Sequence, residues 1–296
     1  MIDRQEDHVI TDHTITVNDL QTRYLSGEPD AATAQSPTVV FLHDGAWGAS
    51  GDVTWGDLLP LAAARFRVIA PDLLGFGGSA KSIRLDQSPF GFRTRHLWAL
   101  LDALGIAGPV HLVGCSFGGS VGLRALTDPA SLPRIASVTS ISGTGGPWRS
   151  AKSNELGPFD GTERDIRRIV ELICGDGPFT EAQVAARYRW ATVPGHYASV
   201  MAVHQSVPAA LQVARPADPY PANLAGIDVP VLLVAGTEDP LVEPEWTQRL
   251  CELLPRGEVA ELPYRHEPNI THPEQTWQVI EDFLTRSGRR DIDAAR

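Results

Sequence analysis

The stretch HLVGCSFGGS, residues 111–120, decides the fold of this chain. It contains the pattern G-x-S-x-G, from Gly114 to Gly118, directly after an apolar run and directly before a helical segment. In this context the pattern is typical of a sharp strand-to-helix turn with a serine at its apex. Small residues are required on both sides of the apex because larger side chains would collide there. The stretch therefore predicts a buried strand, a strained turn at Ser116 and a helix.

Three side chains in this stretch could act as a nucleophile, and the glycines distinguish between them. A thiol is intrinsically more reactive than a hydroxyl, but an apex at Cys115 would need glycines at positions 113 and 117, which are Val and Phe. Ser120 lies one helical turn further along the chain. We therefore predict that Ser116 is the nucleophile and that the N–H of Phe117, at the start of the helix, donates to a developing oxyanion.

Short apolar runs recur on both sides of this stretch and alternate with helical segments. Such runs suit strands that are buried on both faces of a parallel sheet. Their alternation with helices predicts an α/β fold with a doubly wound, mostly parallel sheet. Residues 13–25 alternate apolar and polar side chains, which predicts an antiparallel hairpin. The apolar runs cover residues 38–42, 66–71, 109–114, 135–142, 230–236 and 258–262.

One long segment, residues 148–216, lacks any strand-like run. Amphipathic patterns predict helices over residues 162–177 and 180–193, with a third candidate over residues 197–214. We interpret the segment as a helical cap inserted into the core; the alternative is that these helices simply continue the layered core. The predicted boundaries are a core of residues 1–147 and 217–288, a cap of residues 148–216 and a C-terminal tail of residues 289–296.

A serine nucleophile needs an acid that orients its general base. In strand–turn–helix folds of this kind the order along the chain is serine, acid, histidine. Asp239 lies in the loop after the run 230–236, at the sheet edge where such folds build their sites. Its neighbour Glu238 is the alternative, but Asp239 fits the triad pattern better.

The general base must follow the acid along the chain, which leaves two histidines. His266 comes just after the run 258–262, in a loop from which its imidazole could reach Ser116. His272 precedes Pro273 at an expected helix start, where a capping or surface role is more usual. We predict a triad of Ser116, His266 and Asp239. In the loop after the run 38–42, the second oxyanion donor is predicted to be the N–H of Gly45 or Ala46.

Composition and charge exclude several classes of partner. The chain has 296 residues and a formal net charge of −11, which argues against nucleic acid. No apolar run approaches the roughly 18–20 residues needed to span a bilayer, and the N-terminus has no signal-peptide pattern. The three cysteines form neither a metal-binding pattern nor a disulfide framework. We expect a cytoplasmic protein with a small-molecule substrate, no membrane partner, no metal and no organic cofactor; the sequence leaves a homodimer open.

Five motifs together resemble the α/β-hydrolase superfamily over nearly the whole chain. Because the apex is a serine, the aspartate-nucleophile members, such as haloalkane dehalogenases and epoxide hydrolases, are disfavoured. Within the superfamily the chain is most similar to carbon–carbon hydrolases that cleave ring-fission (meta-cleavage) products. The motifs are FLHDGAWGAS, APDLLGFGGSAKS, LVGCSFGGS, VLLVAGTEDPLV and RHEPNITHPEQTWQVIEDFL.

The resemblance implies roles for further residues. It places Gly45 at the oxyanion donor position and Arg187, in the predicted cap helix, at the position of a substrate-binding arginine. An arginine fork would suit the carboxylate of a diketo acid; a surface ion pair is the alternative for Arg187. The chain departs from these enzymes at four positions: Asp44 and Arg265 replace glycines, Cys115 replaces an asparagine and Glu267 replaces a tryptophan.

The sequence thus predicts a serine hydrolase that acts on a small ester, a lactone or the C–C bond of a diketo acid. The cap is expected to supply an apolar pocket from Trp148, Trp190 and Tyr197. Two other interpretations remain. The chain could be a ligand-binding protein with little or no turnover, or it could carry out cofactor-free lyase or oxygenase chemistry with the His/Asp pair. The fold alone does not separate them.

Overall fold

The architecture is that of a computed structural model, which describes residues 8–294 except 34–35, 86, 203–204, 206–207, 209 and 211–216. Its eight-stranded sheet has the order β1-β2-β4-β3-β5-β6-β7-β8. Strands β3 to β8 are parallel, whereas β2 pairs antiparallel with both β1 and β4. The predicted α/β fold with a mostly parallel sheet is confirmed. The strands are Thr11–Val17, Leu20–Gly27, Thr38–Leu42, Arg67–Pro71, Val110–Cys115, Ile135–Ile141, Val231–Gly236 and Gly257–Leu262, numbered β1 to β8.

The helices cover both faces of the sheet, so that the central strands are buried on both sides. Every residue of β3 is buried, and β5 is buried except at His111. One apolar cluster contains Leu112 and Val121, and a second contains Val113 and Phe283. The helices are Gly51–Trp55, Leu59–Ala63, Gly91–Ala103, Phe117–Ala125, Glu163–Cys174, Thr180–Ala191, His196–Met201, Trp246–Cys251, Pro268–Thr271 and Pro273–Ala294, numbered α1 to α10.

The strand order creates a crevice between β3 and β5. From β3 the chain passes to β4 on one side, and from β4 it crosses to β5 on the other side. Ligands of open parallel sheets bind at such a switch point, beyond the carboxyl ends of the strands. The loop after β3 and the turn after β5 therefore meet where a site is expected.

The segment between β6 and β7 is helical in its described part. Helices α5, α6 and α7 lie close to the predicted spans, and residues 203–204, 206–207, 209 and 211–216 of the third predicted helix lie outside the described residues. Helix α5 starts at a cap in which the Thr162 hydroxyl accepts from the N–H of Asp165. Its apolar side packs against Trp47 of the loop after β3 and against Ile270. These contacts bind the helical segment to the rim of the crevice.

The last helix extends into the predicted C-terminal tail of residues 289–296. Helix α10 continues through Gly288 to Ala294. A glycine costs a helix only about 1 kcal/mol, so Gly288 alone does not stop it. Within the described residues, no helix combines the length and the apolar character that crossing a membrane requires.

Candidate active site

The turn after β5 has the strained geometry that its glycines allow. Ser116 has φ 52° and ψ −110°, a region that residues other than glycine rarely occupy. A Cβ on Gly114 would lie 2.3 Å from the carbonyl carbon of Gly118, and one on Gly118 would lie 2.1 Å from the carbonyl oxygen of Leu42. The two glycines thus let β5, α4 and β3 approach one another closely. The strain is offset in part by a hydrogen bond from the Ser116 N–H to the carbonyl of Ile141 (2.7 Å).

The structure brings Ser116, His266 and Asp239 into one hydrogen-bonded chain. The Ser116 Oγ lies 2.9 Å from Nε2 of His266, and Nδ1 of His266 lies 2.7 Å from Oδ2 of Asp239. When Nδ1 carries the proton of the neutral ring, it donates to Asp239 and leaves Nε2 free to accept from the serine. The N–H of Leu241 donates to the other oxygen of Asp239 (2.8 Å), which fixes the carboxylate. The arrangement can remove a proton from Ser116.

The electrostatics of these three hydrogen-bonded residues favour a basic imidazole at His266. Burial by itself would lower the pKa of His266, but the charge of Asp239 and its hydrogen bond outweigh burial and raise that pKa above its ordinary value. Burial would raise the pKa of Asp239, whereas the positive charge of His266 and their hydrogen bond lower it. Asp239 therefore stays ionised while His266 exchanges a proton.

The two predicted oxyanion donors, Gly45 and Phe117, face each other across the crevice. A Cβ on Gly45 would lie 2.7 Å from the Cβ of Phe117, so only glycine fits there. Among the described residues, neither backbone N–H has a hydrogen-bond partner. The N–H of the alternative donor, Ala46, already donates to Oδ1 of Asp44 (2.7 Å), which favours Gly45.

The thiol beside the apex lies on the other side of the sheet. Cys115 is fully buried in the cluster that contains Val113 and Phe41. Burial, with the nearby negative charges of Glu267 and Asp44, raises its pKa far above the ordinary thiol value. Because the thiolate is the reactive form, Cys115 is inert here.

Arg187 does not occupy the predicted substrate position. Its side chain is fully buried, and its two terminal nitrogens donate to both oxygens of Asp44 (3.1 Å each) and to Oε2 of Glu267 (2.8 Å). Neither a substrate contact nor a surface ion pair describes this arrangement. The two acids are among the four positions where the sequence departs from the carbon–carbon hydrolases. Arg187 also falls on the buried stripe of α6 with Val184 and Ala191, a signal that the sequence contained.

One guanidinium is shared by two buried acids in this cluster. Burial would raise the pKa of Asp44, but the adjacent Arg187 charge and its hydrogen bonds lower it. Burial and the charge of Asp44 raise the pKa of Glu267 to about 8, against the opposing effect of Arg187. Asp44 is therefore the acid whose ionised form Arg187 favours more.

A cavity of about 410 Å³ opens onto the candidate triad. The core contributes Ser116, Phe117 and His266, and the helical segment contributes Ile173 and Val200. The three predicted pocket aromatics are not among the described residues that line it. Trp148 is half-buried against the core, Trp190 lies over Arg23 and Tyr197 is 54% exposed beside Trp47. Further lining residues, which the sequence did not indicate, are Trp47, Phe76, Phe90, Arg93 and Arg149.

A family model described as "Alpha/beta hydrolase family" matches residues 39–279. The chain is 27% identical, over 99% of its length and 97% of the relative's, to 2-hydroxy-6-oxo-6-(2'-aminophenyl)hexa-2,4-dienoic acid hydrolase of Metapseudomonas resinovorans. It is 30% identical, over 86% of its length and 90% of the relative's, to a protein of Pantoea ananatis (strain LMG 20103) provisionally named carbamate hydrolase RutD.

Among solved structures, the chain is similar to 2-hydroxy-6-oxo-6-phenylhexa-2,4-dienoate hydrolase of Rhodococcus sp. strain RHA1. The TM-score is 0.79 and the sequence identity is 25%, and the match covers 95% of this chain and 99% of that one. The resemblance read from the motifs is therefore confirmed at the level of relatives and of fold.

Proposed function

The chain belongs to the α/β hydrolase family, and we propose that it is a serine hydrolase that uses Ser116, His266 and Asp239 to cleave a small carbonyl substrate. The observation that carries the proposal is the hydrogen-bonded chain from Asp239 through His266 to Ser116. It ends at a cavity lined by Gly45 and Phe117, whose backbone N–H groups have no hydrogen-bond partner among the described residues. An ester or lactone is the substrate that this arrangement serves most directly. The described part of the helical segment, which contributes Ile173 and Val200 to the lining, acts as the cap of the cavity in this proposal.

The steps follow from the roles of these groups. The Ser116 Oγ attacks the carbonyl carbon while Nε2 of His266 takes the serine proton. The N–H groups of Gly45 and Phe117 stabilise the oxyanion that forms. The tetrahedral intermediate collapses to an acyl-serine, and the leaving alcohol takes the proton from His266. A water molecule then repeats the sequence, with His266 as its base, and releases the acid.

Cleavage of a C–C bond in a ring-fission diketo acid is the second candidate. It is favoured by the similar hydrolases from Metapseudomonas resinovorans and Rhodococcus. The names of these two enzymes give dienoic acids as their substrates. In this reaction His266 would assist ketonisation before Ser116 attacks. The engagement of Arg187 by Asp44 and Glu267 weighs against substrate binding in the manner that the resemblance implied.

The proposal is tested by active-site labelling together with a substrate panel. We expect a fluorophosphonate to modify one residue per chain and peptide mass spectrometry to locate it at Ser116. The panel compares kcat/KM for 4-nitrophenyl esters, lactones, ring-fission dienoates and carbamates. Modification at another residue would contradict the proposed nucleophile. Absence of turnover across the panel would favour the ligand-binding reading.

The pH dependence of kcat/KM gives a second prediction. His266 must be neutral to accept the serine proton, and its pKa is raised above the ordinary 6.5 by Asp239 despite burial. We therefore expect kcat/KM to fall as the pH drops through this raised pKa, with the acidic limb above pH 6.5. Asp239→Asn should move the limb to lower pH and reduce kcat by about 10⁴-fold. A limb that stays in place in Asp239→Asn would show that this carboxylate does not tune the base.

A further inference from the structure

A buried arginine on α3 lines the cavity without a carboxylate partner. Arg93 is only 5% exposed, and among the described residues no acid forms an ion pair with it. Its Nε donates to the carbonyl of Leu74 (2.8 Å) and its Nη1 to the carbonyl of Pro89 (2.7 Å). Buried charges are normally paired because desolvation is costly. Burial accordingly lowers the pKa of Arg93 to about 10, which leaves it charged at neutral pH.

Aromatic rings hold this guanidinium in place. Its central carbon lies 4.4 Å from the ring centre of Phe92, 5.2 Å from that of Phe117 and 5.5 Å from that of Phe76. Such cation–π contacts stabilise a cation without neutralising it. The remaining nitrogen, Nη2, has no hydrogen-bond partner in the described part of the chain. Arg93 and Ser116 line the same cavity, and the ring beside the guanidinium belongs to Phe117, the residue after the candidate nucleophile.

A second unused polar group borders the same place. The Oγ of Ser199, on α7, is buried and has no hydrogen-bond partner among the described residues. A Cβ placed on Gly75 would lie 3.2 Å from Nη2 of Arg93 and 3.8 Å from Oγ of Ser199. Both side chains line the cavity. A guanidinium N–H and a hydroxyl thus converge from the core and from the helical segment.

The other charges of the cavity do not offset Arg93. Glu267 is the only carboxylate among the described lining residues, and it is bonded to Arg187. The second lining arginine, Arg149, is exposed and is held by Ser153 at the cavity mouth. Among the described lining residues, Arg93 therefore presents a buried positive charge without a paired acid to a bound molecule.

We propose that Arg93 and Ser199 form a carboxylate-binding subsite, so that the substrate is an organic acid whose carbonyl group reaches Ser116. The two oxygens of a carboxylate match the two unused donors. This inference rests on the proposed function, because the subsite positions a substrate for attack by Ser116. The role that the resemblance gave to Arg187 is thereby carried by a residue of the core.

The test compares two esters that differ in one terminal group, 4-nitrophenyl hydrogen glutarate and 4-nitrophenyl pentanoate. We expect the ratio of their kcat/KM values, acidic over neutral, to fall roughly 10- to 100-fold in Arg93→Met, the effect of losing a charge-assisted hydrogen bond. Arg93→Lys keeps the charge and should retain part of the ratio. Ser199→Ala should lower the ratio less than Arg93→Met does.

The matched control is Arg95→Met, on the exposed side of the same helix, which should keep the wild-type ratio. An equal loss on both esters in Arg93→Met would overturn the subsite. The subsite would also be overturned if the ratio fell in Arg149→Met but not in Arg93→Met, because the exposed Arg149 would then be the anion site. If wild type turns over no member of the substrate panel, the proposed function fails; if it hydrolyses these esters without dependence on Arg93, only the subsite fails.

Discussion

Ser116→Ala should lose at least about 10⁴-fold in kcat for the best ester of the panel, with a ceiling near 10⁶-fold, because members of a triad act as one unit. Alanine removes the only atom that His266 can deprotonate at the apex of the turn. It keeps the Cβ, so that the backbone around Gly114 and Gly118 need not shift. Steady-state kinetics with the purified variant give the loss, and circular dichroism shows whether it is folded.

The neighbouring residue supplies the control for this experiment. Cys115→Ala removes the more reactive side chain of the same turn, yet its thiol is buried on the opposite side of the sheet. We expect the variant to retain kcat within about tenfold, with a small loss of stability from the cavity. Substantial activity in Ser116→Ala, together with inactivity in Cys115→Ala, would refute Ser116 as the nucleophile.

Arg187→Met should reduce the free energy of unfolding by about 3–5 kcal/mol, because it leaves the ionised Asp44 buried without its counter-charge. The carboxylate of Asp44 also accepts from the N–H of Ala46 (2.7 Å) and from the hydroxyl of Thr54 (2.6 Å), so its displacement would disturb the loop that carries Gly45. Urea unfolding at pH 7 measures the loss, and activity should fall with it.

Two variants separate a buried charge effect from a general effect of changing α6. Arg189 lies two residues further along the helix, where its side chain is 60% exposed and pairs with Asp52. We expect Arg189→Met to reduce the free energy of unfolding by at most about 1 kcal/mol. Adding Asp44→Asn and Glu267→Gln to Arg187→Met removes the stranded acids and should recover part of the loss. A cost below 1 kcal/mol for Arg187→Met alone would refute the buried cluster as a stabilising element.

The nucleophile, its base and its acid could be found from the sequence although Ser116 and His266 are 150 residues apart. In a parallel sheet the carboxyl ends of all strands reach the same edge. Residues that directly follow buried strands are thereby brought together, whatever their separation along the chain. Gly114 acts through local sterics, because a Cβ there would meet Gly118, so the turn could be predicted from five residues.

The residues that line the pocket could not be predicted from the sequence in this way. The sequence does not show whether Trp148, Trp190 and Tyr197 face a cavity or the outside, because that depends on how each element packs. Arg93 was missed for the same reason, since its position within α3 gives no indication that its outer nitrogen faces the crevice.

By itself the sequence determined the α/β sheet, the strained turn and the order of the candidate triad, because each follows from local sterics or from strand succession. Only the tertiary structure decided which arginine is neutralised and which remains available. Arg187 meets Asp44 and Glu267 from 143 and 80 residues away, whereas the contacts of Arg93 within the described residues are with carbonyls and rings. Charge compensation in a buried site depends on contacts between distant segments, and those are fixed only when α6 packs onto the loops after β3 and β8.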